Sequence, residues 1–280
     1  MKIIPLNAPL GVSIENLSLH GPLNKEQALE LCEIINKYQL VLFRKQELTA
    51  SQQIAFSKAL GPVRKRKLPA DYFSPASSLE TPGIVYVSNI RDRNGIPTGI
   101  IPDGEMWFHH DTCYTSEPDR FTMLYAMKVP RKGGNTLWAN MYTAWKTLPD
   151  ALKEQIIGKQ ALNVYDYATK SRPESKNLSL IEHAWHPAVI KHPFTGKKAL
   201  FINRLMTCKL EGLSERKSLK VLEPIFDHAE QTCHIYEHHW KPGDFIIWDN
   251  LSTTHARTHF NNYDERRLRR SKVSGQTLNT

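Results

Sequence analysis

The sequence predicts a mainly β fold, either a sandwich or a jelly roll, with helices flanking the sheets. From Gly83 onward, short apolar runs recur between turn residues, a density typical of layered sheets built from short strands. Two helical patterns precede that region and two interrupt it. With 280 residues, 40% of them hydrophobic and 23% charged, the chain has the composition of a folded protein, and we expect one domain over residues 1–280.

The N-terminal part has two predicted helices with one strand between them. In residues 24–37, the N-cap residue Asn24 is followed three positions later by glutamine, and the apolar residues share one face. The continuous apolar run Leu40–Phe43 predicts a buried strand. A second helix begins at Thr49, which forms a capping-box pattern with a glutamine three residues later, and ends at Gly61. Both helices are expected to pack on the outside of a sheet.

The remaining strands are predicted from the apolar runs that follow Gly83. They cover residues 84–87, 122–127, 136–141, 198–202, 233–236, 245–248 and 268–273. Helical patterns at residues 149–157 and 214–231 lie among these strands. A polar stretch at residues 169–178 predicts a mobile lid around residues 160–180.

The net charge of +9 makes a nucleic-acid-binding protein one alternative, because basic surfaces attract phosphate backbones. The basic run RKRK at residues 64–67 supports it, but no known nucleic-acid-binding motif accompanies that run. We therefore expect no specific nucleic acid as a partner. The longest apolar runs are far shorter than the roughly 20 residues of a membrane span, and the N-terminus lacks the apolar core of a signal peptide. We expect no membrane partner and a cytoplasmic location.

A metal site is predicted from one H-x-D unit and a distant histidine. In an extended backbone, His109 and Asp111 project to the same side, while His110 projects to the other and is expected to be structural or to support a ligand. His255 follows a predicted strand and can supply the third ligand. Two imidazoles and one carboxylate on one face of an octahedron leave three open positions, which is typical of non-haem Fe(II) oxygenases. 2-Oxoglutarate and O2 would bind at those positions.

Arg270 strengthens this prediction. Fourteen residues separate it from His255, and a 2-oxoglutarate site needs a fixed cation for the distal carboxylate, for which the planar guanidinium is well suited. Alternatively, the arginines at positions 266, 267, 269 and 270 form a solvated basic strand end. A further alternative for the metal centre keeps the fold but binds zinc or nickel in a hydrolase or an isomerase.

The chain resembles the taurine dioxygenase and 2,4-dichlorophenoxyacetate dioxygenase family (TauD/TfdA) over nearly its whole length. Four segments carry the resemblance, in the order and spacing of that family. They are residues 107–114 (WFHHDTCY), 133–138 (GGNTLW), 192–203 (HPFTGKKALFIN) and 248–270, which begins WDN and includes His255 and Arg270. The resemblance implies a double-stranded β-helix, the jelly-roll or cupin-like architecture, with the three predicted metal ligands facing its mouth.

The resemblance also implies the cofactors and the residues that hold them. It implies Fe(II) as the metal, 2-oxoglutarate as co-substrate and O2 as oxidant, with succinate and CO2 as products. Thr136 would then hydrogen-bond the distal carboxylate of 2-oxoglutarate together with Arg270, and Arg266 would lie near the other carboxylate. Homodimers and homotetramers are common in the family, so one of these assemblies is expected here.

The expected reaction is hydroxylation of a small, anionic organic molecule. Related halogenases have a small residue in place of the carboxylate ligand, so Asp111 favours hydroxylation over halogenation. Cleavage of a carbon–heteroatom bond after hydroxylation, and desaturation, are further outcomes open to the same centre.

Four residues are predicted to contact the substrate. By alignment, Arg66 replaces a histidine that helps to hold the sulfonate in the taurine enzymes. We interpret it either as a cationic clamp for a carboxylate, sulfonate or phosphate, or as part of a solvated loop. Asn89 either lines the substrate side or caps a strand. Tyr114 and Phe201 are candidate pocket walls, with ordinary core packing as the alternative.

Overall fold

The computed structural model describes residues 1–65, 81–101, 104–165, 168–175 and 178–278. These residues form sixteen strands and five α-helices, and none of the helices is long and apolar enough to cross a membrane. The strands are β1 (Lys2–Pro5), β2 (Val12–Glu15), β3 (Leu40–Phe43), β4 (Val85–Ser88), β5 (Met106–His109), β6 (Asp119–Lys128), β7 (Thr136–Asn140), β8 (Gln160–Val164), β9 (His183–Pro187), β10 (Val189–Lys191), β11 (Lys198–Leu200), β12 (Thr207–Leu210), β13 (Ile235–His238), β14 (Phe245–Asp249), β15 (Thr253–Arg257) and β16 (Arg267–Ser274). The helices are α1 (Lys25–Tyr38), α2 (Ala50–Leu60), α3 (Met141–Thr147), α4 (Asp150–Ile156) and α5 (Glu215–Ala229).

Two sheets form the centre of the fold. The larger has seven strands in the order β1-β2-β3-β14-β6-β16-β4, and the smaller has four in the order β13-β7-β15-β5. Along the chain, β4 to β7 and β13 to β16 alternate between the two sheets, one strand at a time. This alternation is the winding of a double-stranded β-helix, so the predicted jelly-roll architecture is confirmed.

An apolar layer joins the two sheets. Ile246 and Trp248 of the larger sheet and Trp138 of the smaller belong to one buried cluster. The rings of Trp138 and Trp248 meet edge to face, with centroids 5.4 Å apart. Because alternate residues of a strand project to opposite faces, Phe245 and Ile247 of β14 point the other way, into the layer beneath α1 and α2. The strand predicted from this continuous apolar run is buried on both faces.

The two N-terminal helices cover the outer face of the larger sheet, as expected. Phe56 of α2 packs edge-on to a phenylalanine of β14, with ring centroids 5.4 Å apart. Both helices begin at the predicted capping boxes, Asn24 with Gln27 and Thr49 with Gln52, and each pair exchanges two hydrogen bonds. These bonds satisfy backbone N–H groups that have no partner inside the helix. The sequence located both helix starts for this reason.

Some boundaries differ from the sequence prediction. The strand predicted at residues 136–141 ends at Asn140, whose side chain accepts hydrogen bonds from the Tyr142 and Thr143 amides and caps a helix that was not predicted, α3. The strand predicted at residues 233–236 begins two residues later, after a 3-10 turn. Strands β8, β9 and β12, which form a separate three-stranded sheet, were also missed.

The segment around residues 160–180, predicted as a lid, begins as strand β8, which pairs with β9 and β12. Further along, the Thr169 carbonyl accepts a hydrogen bond of 2.9 Å from the Trp107 amide of β5. Arg172 forms an ion pair of 2.9 Å with Glu223 of α5. These contacts attach the described part of the segment to its neighbours, and its motion stays a prediction.

Candidate active site

Two strands of the smaller sheet bring the predicted histidine ligands together. His109 ends β5 and lies directly across from His255 of the neighbouring strand β15. Directly opposed residues of an antiparallel pair have adjacent side chains, and the two imidazole rings are centred 4.0 Å apart. The sheet register therefore supplies two metal ligands at one point.

Asp111 reaches the same point from a turn. The strand ends at His109, and Thr112 has a left-handed backbone with φ of 54°, so the extended backbone assumed from sequence does not continue through Asp111. The side chain of Asn250, which follows β14, accepts a hydrogen bond of 2.7 Å from the Asp111 amide and donates one of 2.9 Å to the Asp111 carbonyl. Sequence reasoning gave Asn250 no role. Its place in the WDN segment was the available signal.

His109, Asp111 and His255 offer ligand atoms that all lie within 4.8 Å of one another. Their exposed fractions are only 4%, 5% and 8%. The Nδ1 atom of His109 lies 2.9 Å from the Trp107 carbonyl oxygen, so it donates there and leaves Nε2 as the ligand atom. Two imidazole nitrogens and one carboxylate within this distance fit a divalent metal such as Fe(II), with further positions left for exogenous ligands.

Burial and nearby cations determine the protonation of these ligands. Burial lowers the pKa of His109 to about 4 and the pKa of His255 well below its ordinary value. Burial raises the pKa of Asp111, but the charges of Lys272 and Arg270 outweigh it and hold that pKa well below its usual range. At neutral pH the site therefore presents neutral imidazoles and a carboxylate, the forms that bind metal.

Two cations of β16 face the carboxylate ligand. Nη1 of Arg270 lies 3.4 Å, and Nζ of Lys272 lies 3.1 Å, from the same Asp111 oxygen, Oδ1. The other oxygen, Oδ2, accepts a hydrogen bond of 2.9 Å from the Thr122 hydroxyl. Lys272 also lies 3.0 Å from a carboxylate oxygen of Asp119. Sequence reasoning found Arg270 but missed Lys272, although residues two apart on a strand project to the same face.

The predicted residues Thr136 and Arg266 lie near a second position, at the start of β7. Arg266 is 2% exposed, and its Nε donates a hydrogen bond of 3.1 Å to the carbonyl of Gly134, two residues before Thr136. Burial and then the charge of Arg257, which lies across from Thr136 in the sheet, hold the pKa of Arg266 well below its usual range. Trp240 Nε1 donates to the Thr136 hydroxyl oxygen at 3.0 Å. Two buried cations and a hydroxyl are a suitable environment for an anion.

Arg66 and Asn89 are two of the four predicted substrate residues. Arg66 lies outside the described residues. Asn89 accepts a hydrogen bond of 2.7 Å from the Arg266 amide and donates to the carbonyls of Asn262 and Asp264. Its side chain therefore fastens the loop that precedes β16.

The other two, Tyr114 and Phe201, belong to aromatic packing near the metal ligands. Tyr114 stacks on Tyr165, with ring centroids 4.7 Å apart. Phe201 is fully buried and packs against His110 at a centroid distance of 4.4 Å. His110 is not among the clustered ligand atoms, and its Nδ1 lies 3.5 Å from the side-chain amide of Asn203. These contacts place His110 in the packing around Phe201, and its expected role, structural or in support of a ligand, stays a prediction.

Comparison with known proteins decides between the predicted functions. Residues 2–272 match the family described as Taurine catabolism dioxygenase TauD, TfdA family. The chain belongs to the TauD, TfdA family. As a member of it, the chain is a dioxygenase that uses Fe(II), α-ketoglutarate (2-oxoglutarate) and O2 and acts on a small organic substrate. Membership thus favours the predicted oxygenase over the hydrolase, isomerase and nucleic-acid-binding alternatives.

The relatives of this TauD, TfdA family member match nearly its whole length. The (S)-phenoxypropionate/alpha-ketoglutarate-dioxygenase of Sphingobium herbicidovorans is 28% identical, over 98% of this chain and 94% of the relative. The alpha-ketoglutarate-dependent 2,4-dichlorophenoxyacetate dioxygenase of Cupriavidus pinatubonensis is 26% identical, over 95% of each chain. The crystal structure of a taurine dioxygenase from Burkholderia xenovorans has a TM-score of 0.79 at 22% identity, over 99% of this chain and 92% of that chain. The last comparison supports the shared fold.

Proposed function

We propose that this dioxygenase hydroxylates a C–H bond of a small organic carboxylate, with 2-oxoglutarate as co-substrate and succinate and CO2 as further products. The observation that carries the use of 2-oxoglutarate at this centre is the position of Arg270 beside the three metal ligands. Its buried Nε atom has no hydrogen-bond partner within the described residues, and its Nη1 lies 3.4 Å from Asp111. A mostly buried guanidinium whose Nε donor has no partner favours an anion next to the metal.

We assign the two ends of 2-oxoglutarate to different arginines. The end that carries the keto group and the C1 carboxylate is assigned to the metal and Arg270, and the distal carboxylate to Thr136 and Arg266. This assignment reverses the roles that the sequence suggested for the two arginines. It is supported by the contact between Arg270 and the ligand Asp111 and by the buried position of Arg266 near Thr136.

The residues of the chain contribute position and charge to the reaction. When bound, Fe(II) supplies the activation of O2 and the oxidation of the substrate. Trp240 donates to the Thr136 oxygen, so the Thr136 hydroxyl can direct its own hydrogen to a carboxylate. With the metal bound, the carboxylate of Asp111 would take the position that a halide needs, which favours hydroxylation. Hydroxylation of a carbon next to an ether oxygen gives a hemiacetal, which separates into a carbonyl compound and an alcohol.

The carboxylate class of acceptor is supported by the names of two relatives, which act on a phenoxypropionate and on a phenoxyacetate. Arg66 and Tyr114 are kept as proposed contacts of this acceptor. The hydrogen bonds of Asn89 to the loop before β16 and the complete burial of Phe201 favour structural roles over substrate contact.

The assay for this function measures succinate formed from 2-oxoglutarate by the protein with Fe(II) and O2. Phenoxyacetates, other carboxylates, sulfonates and sulfate esters are compared, each carboxylate with its methyl ester as a matched neutral control. We expect carboxylates to stimulate succinate formation and their esters to do so far less. Equal stimulation by acid and ester would overturn the carboxylate assignment, and no turnover with any acceptor would count against hydroxylation.

We also propose a homodimer or homotetramer and a cytoplasmic location. Light scattering of the purified protein tests the assembly, and a monomer at micromolar concentration would contradict it. Fractionation of cells that express the natural gene tests the location, and recovery outside the cytoplasm would contradict it.

A further inference from the structure

We propose that Lys272 is a positioning residue for the metal ligand Asp111 and keeps Arg270 available for the co-substrate. This inference rests on the metal site of the proposed function. Lys272 contacts the predicted metal ligand Asp111 but would not bind the metal itself.

The ammonium group of Lys272 lies close to two carboxylates. Its Nζ lies 3.1 Å from Asp111 Oδ1 and 3.0 Å from Asp119 Oδ2. The lysine side chain is only 13% exposed, and that of Asp119 is fully buried. Lysines are mostly exposed, and a lysine with so little exposure is expected to be paired. Here the ammonium lies between two carboxylates, one of which is a metal ligand.

Several contacts hold Asp119 in place. Its carboxylate also forms an ion pair with Arg64, and its amide donates a hydrogen bond of 2.8 Å to the Thr112 hydroxyl. The side chain of Asn250 donates to the backbone carbonyls of both Asp111 and Asp119, at 2.9 Å each. Asp119 is therefore a fixed anchor. It holds the ammonium of Lys272 at a constant position relative to Asp111.

Each carboxylate oxygen of Asp111 has a neighbour of its own. Thr122 donates a hydrogen bond to Oδ2, and Lys272, its cross-strand partner in the β16–β6 pair, lies 3.1 Å from Oδ1. A carboxylate has about four lone-pair sites, so both contacts leave room for a metal. Together they limit rotation of the carboxylate, which is the usual effect of residues that surround a metal ligand.

Arg270 makes only a long contact with Asp111. Its 3.4 Å distance to Asp111 Oδ1 is longer than the roughly 2.7–2.9 Å of a strong charge-assisted hydrogen bond. Lys272 makes the closer contact with that oxygen. Without the lysine, Asp111 would attract the guanidinium into a close ion pair. Arg270 would then be withdrawn from the anion that we assign to it.

The test compares Lys272→Met, Lys272→Arg and the matched control Lys128→Met, which removes an exposed lysine of β6. Mn(II) binding to each metal-free protein is followed by electron paramagnetic resonance. Binding of 2-oxoglutarate to the Mn(II)-saturated protein is then measured by calorimetry. Unfolding in urea is recorded separately on the metal-free proteins. Lys272→Gln replaces Lys272→Met if the latter does not fold.

We expect Lys272→Met to weaken Mn(II) binding by about 10- to 100-fold and to weaken 2-oxoglutarate binding as well. Lys272→Arg should restore most of both affinities, and Lys128→Met should change neither. Unchanged Mn(II) affinity with lower stability would show a merely structural lysine and overturn the proposal. Tighter Mn(II) binding would also overturn it, because the lysine would then only repel the metal. If the wild-type protein does not bind Mn(II), the proposed metal site itself fails.

Discussion

The side-chain amide of Asn250 holds the backbone of Asp111 on both sides, accepting from its N–H at 2.7 Å and donating to its C=O at 2.9 Å. Asn250 is fully buried. This pair of hydrogen bonds, and not strand geometry, fixes the backbone of the residue that carries the carboxylate. The metal site therefore depends on a residue 139 positions away in sequence.

Asn250→Ala is expected to lower the free energy of unfolding by about 1–3 kcal/mol, because it leaves buried backbone groups without partners. It should also weaken Mn(II) binding, since Asp111 is no longer held in place. Urea unfolding and Mn(II) titration measure the two effects. Asn262→Ala, at an exposed asparagine, is the matched control and should change neither. Full Mn(II) affinity in Asn250→Ala would show that Asp111 needs no such support.

His109→Ala and His110→Ala should affect metal binding differently, because His109 is a predicted metal ligand and His110 is not. We expect His109→Ala to abolish specific Mn(II) binding, because it removes one of three ligands, and His255→Ala to do the same. His110→Ala should retain the metal but lose about 1–3 kcal/mol of stability, because it removes a fully buried ring. Metal titration and urea unfolding of the three variants check this. Loss of metal in His110→Ala with retention in His109→Ala would contradict the assignment.

Binding of a long and a short 2-oxo acid should distinguish Arg266→Ala from Arg270→Ala. 2-Oxobutyrate keeps the keto and C1 carboxylate groups of 2-oxoglutarate but lacks the distal carboxylate. We expect Arg266→Ala to weaken 2-oxoglutarate binding by about 2–5 kcal/mol, as for loss of one partner of a buried charge pair, and to leave 2-oxobutyrate binding nearly unchanged. Arg270→Ala should weaken both acids. Calorimetry on the Mn(II)-loaded proteins gives the four values, and the opposite pattern would restore the role of Arg270 expected from sequence.

The metal-free protein should lose stability as the pH falls from about 6.5 to about 4. Burial lowers the pKa of His109 from 6.5 to about 4, so in this window the unfolded chain binds a proton that the folded chain does not. The contribution of His109 to stability is complete above pH 6.5, its ordinary pKa in the unfolded chain. This contribution, about 3 kcal/mol, is lost as the pH falls to about 4. The pKa of Asp111 is also lowered, from 3.8, so its contribution is lost only below that pH.

Urea unfolding at several pH values in the presence of a chelator measures this dependence. His110 and His255 add to the effect in the same direction, since burial lowers the pKa of each. His109→Asn should therefore show a shallower dependence and still retain part of it. Equal stability of the wild-type protein at pH 7 and pH 5 would be incompatible with neutral, buried ligands.

The elements that could be predicted from sequence are those fixed by local contacts. The capping boxes at Asn24 and Thr49 involve residues three positions apart, and the apolar run of β14 is buried on both faces. Strands β8, β9 and β12 have no such local pattern, because polar residues such as Asn163 are buried among them through distant hydrogen bonds. Helix α3 was missed because its cap, Asn140, was assigned to the preceding strand.

The sequence by itself predicted the cluster of His109, Asp111 and His255, and its resemblance to the family implied the double-stranded β-helix that carries it. Only the tertiary structure decided the surroundings of that set: Asn250 clamps Asp111, Lys272 pairs with it, and Arg270 lies beside the metal ligands. The physical reason is that chain neighbours fix caps, turns and burial patterns, while the pairing of β16 with β6 brings distant residues to one face. That pairing brings Arg270 and Lys272 to Asp111, where we propose that their charges position the carboxylate and an anion next to the metal.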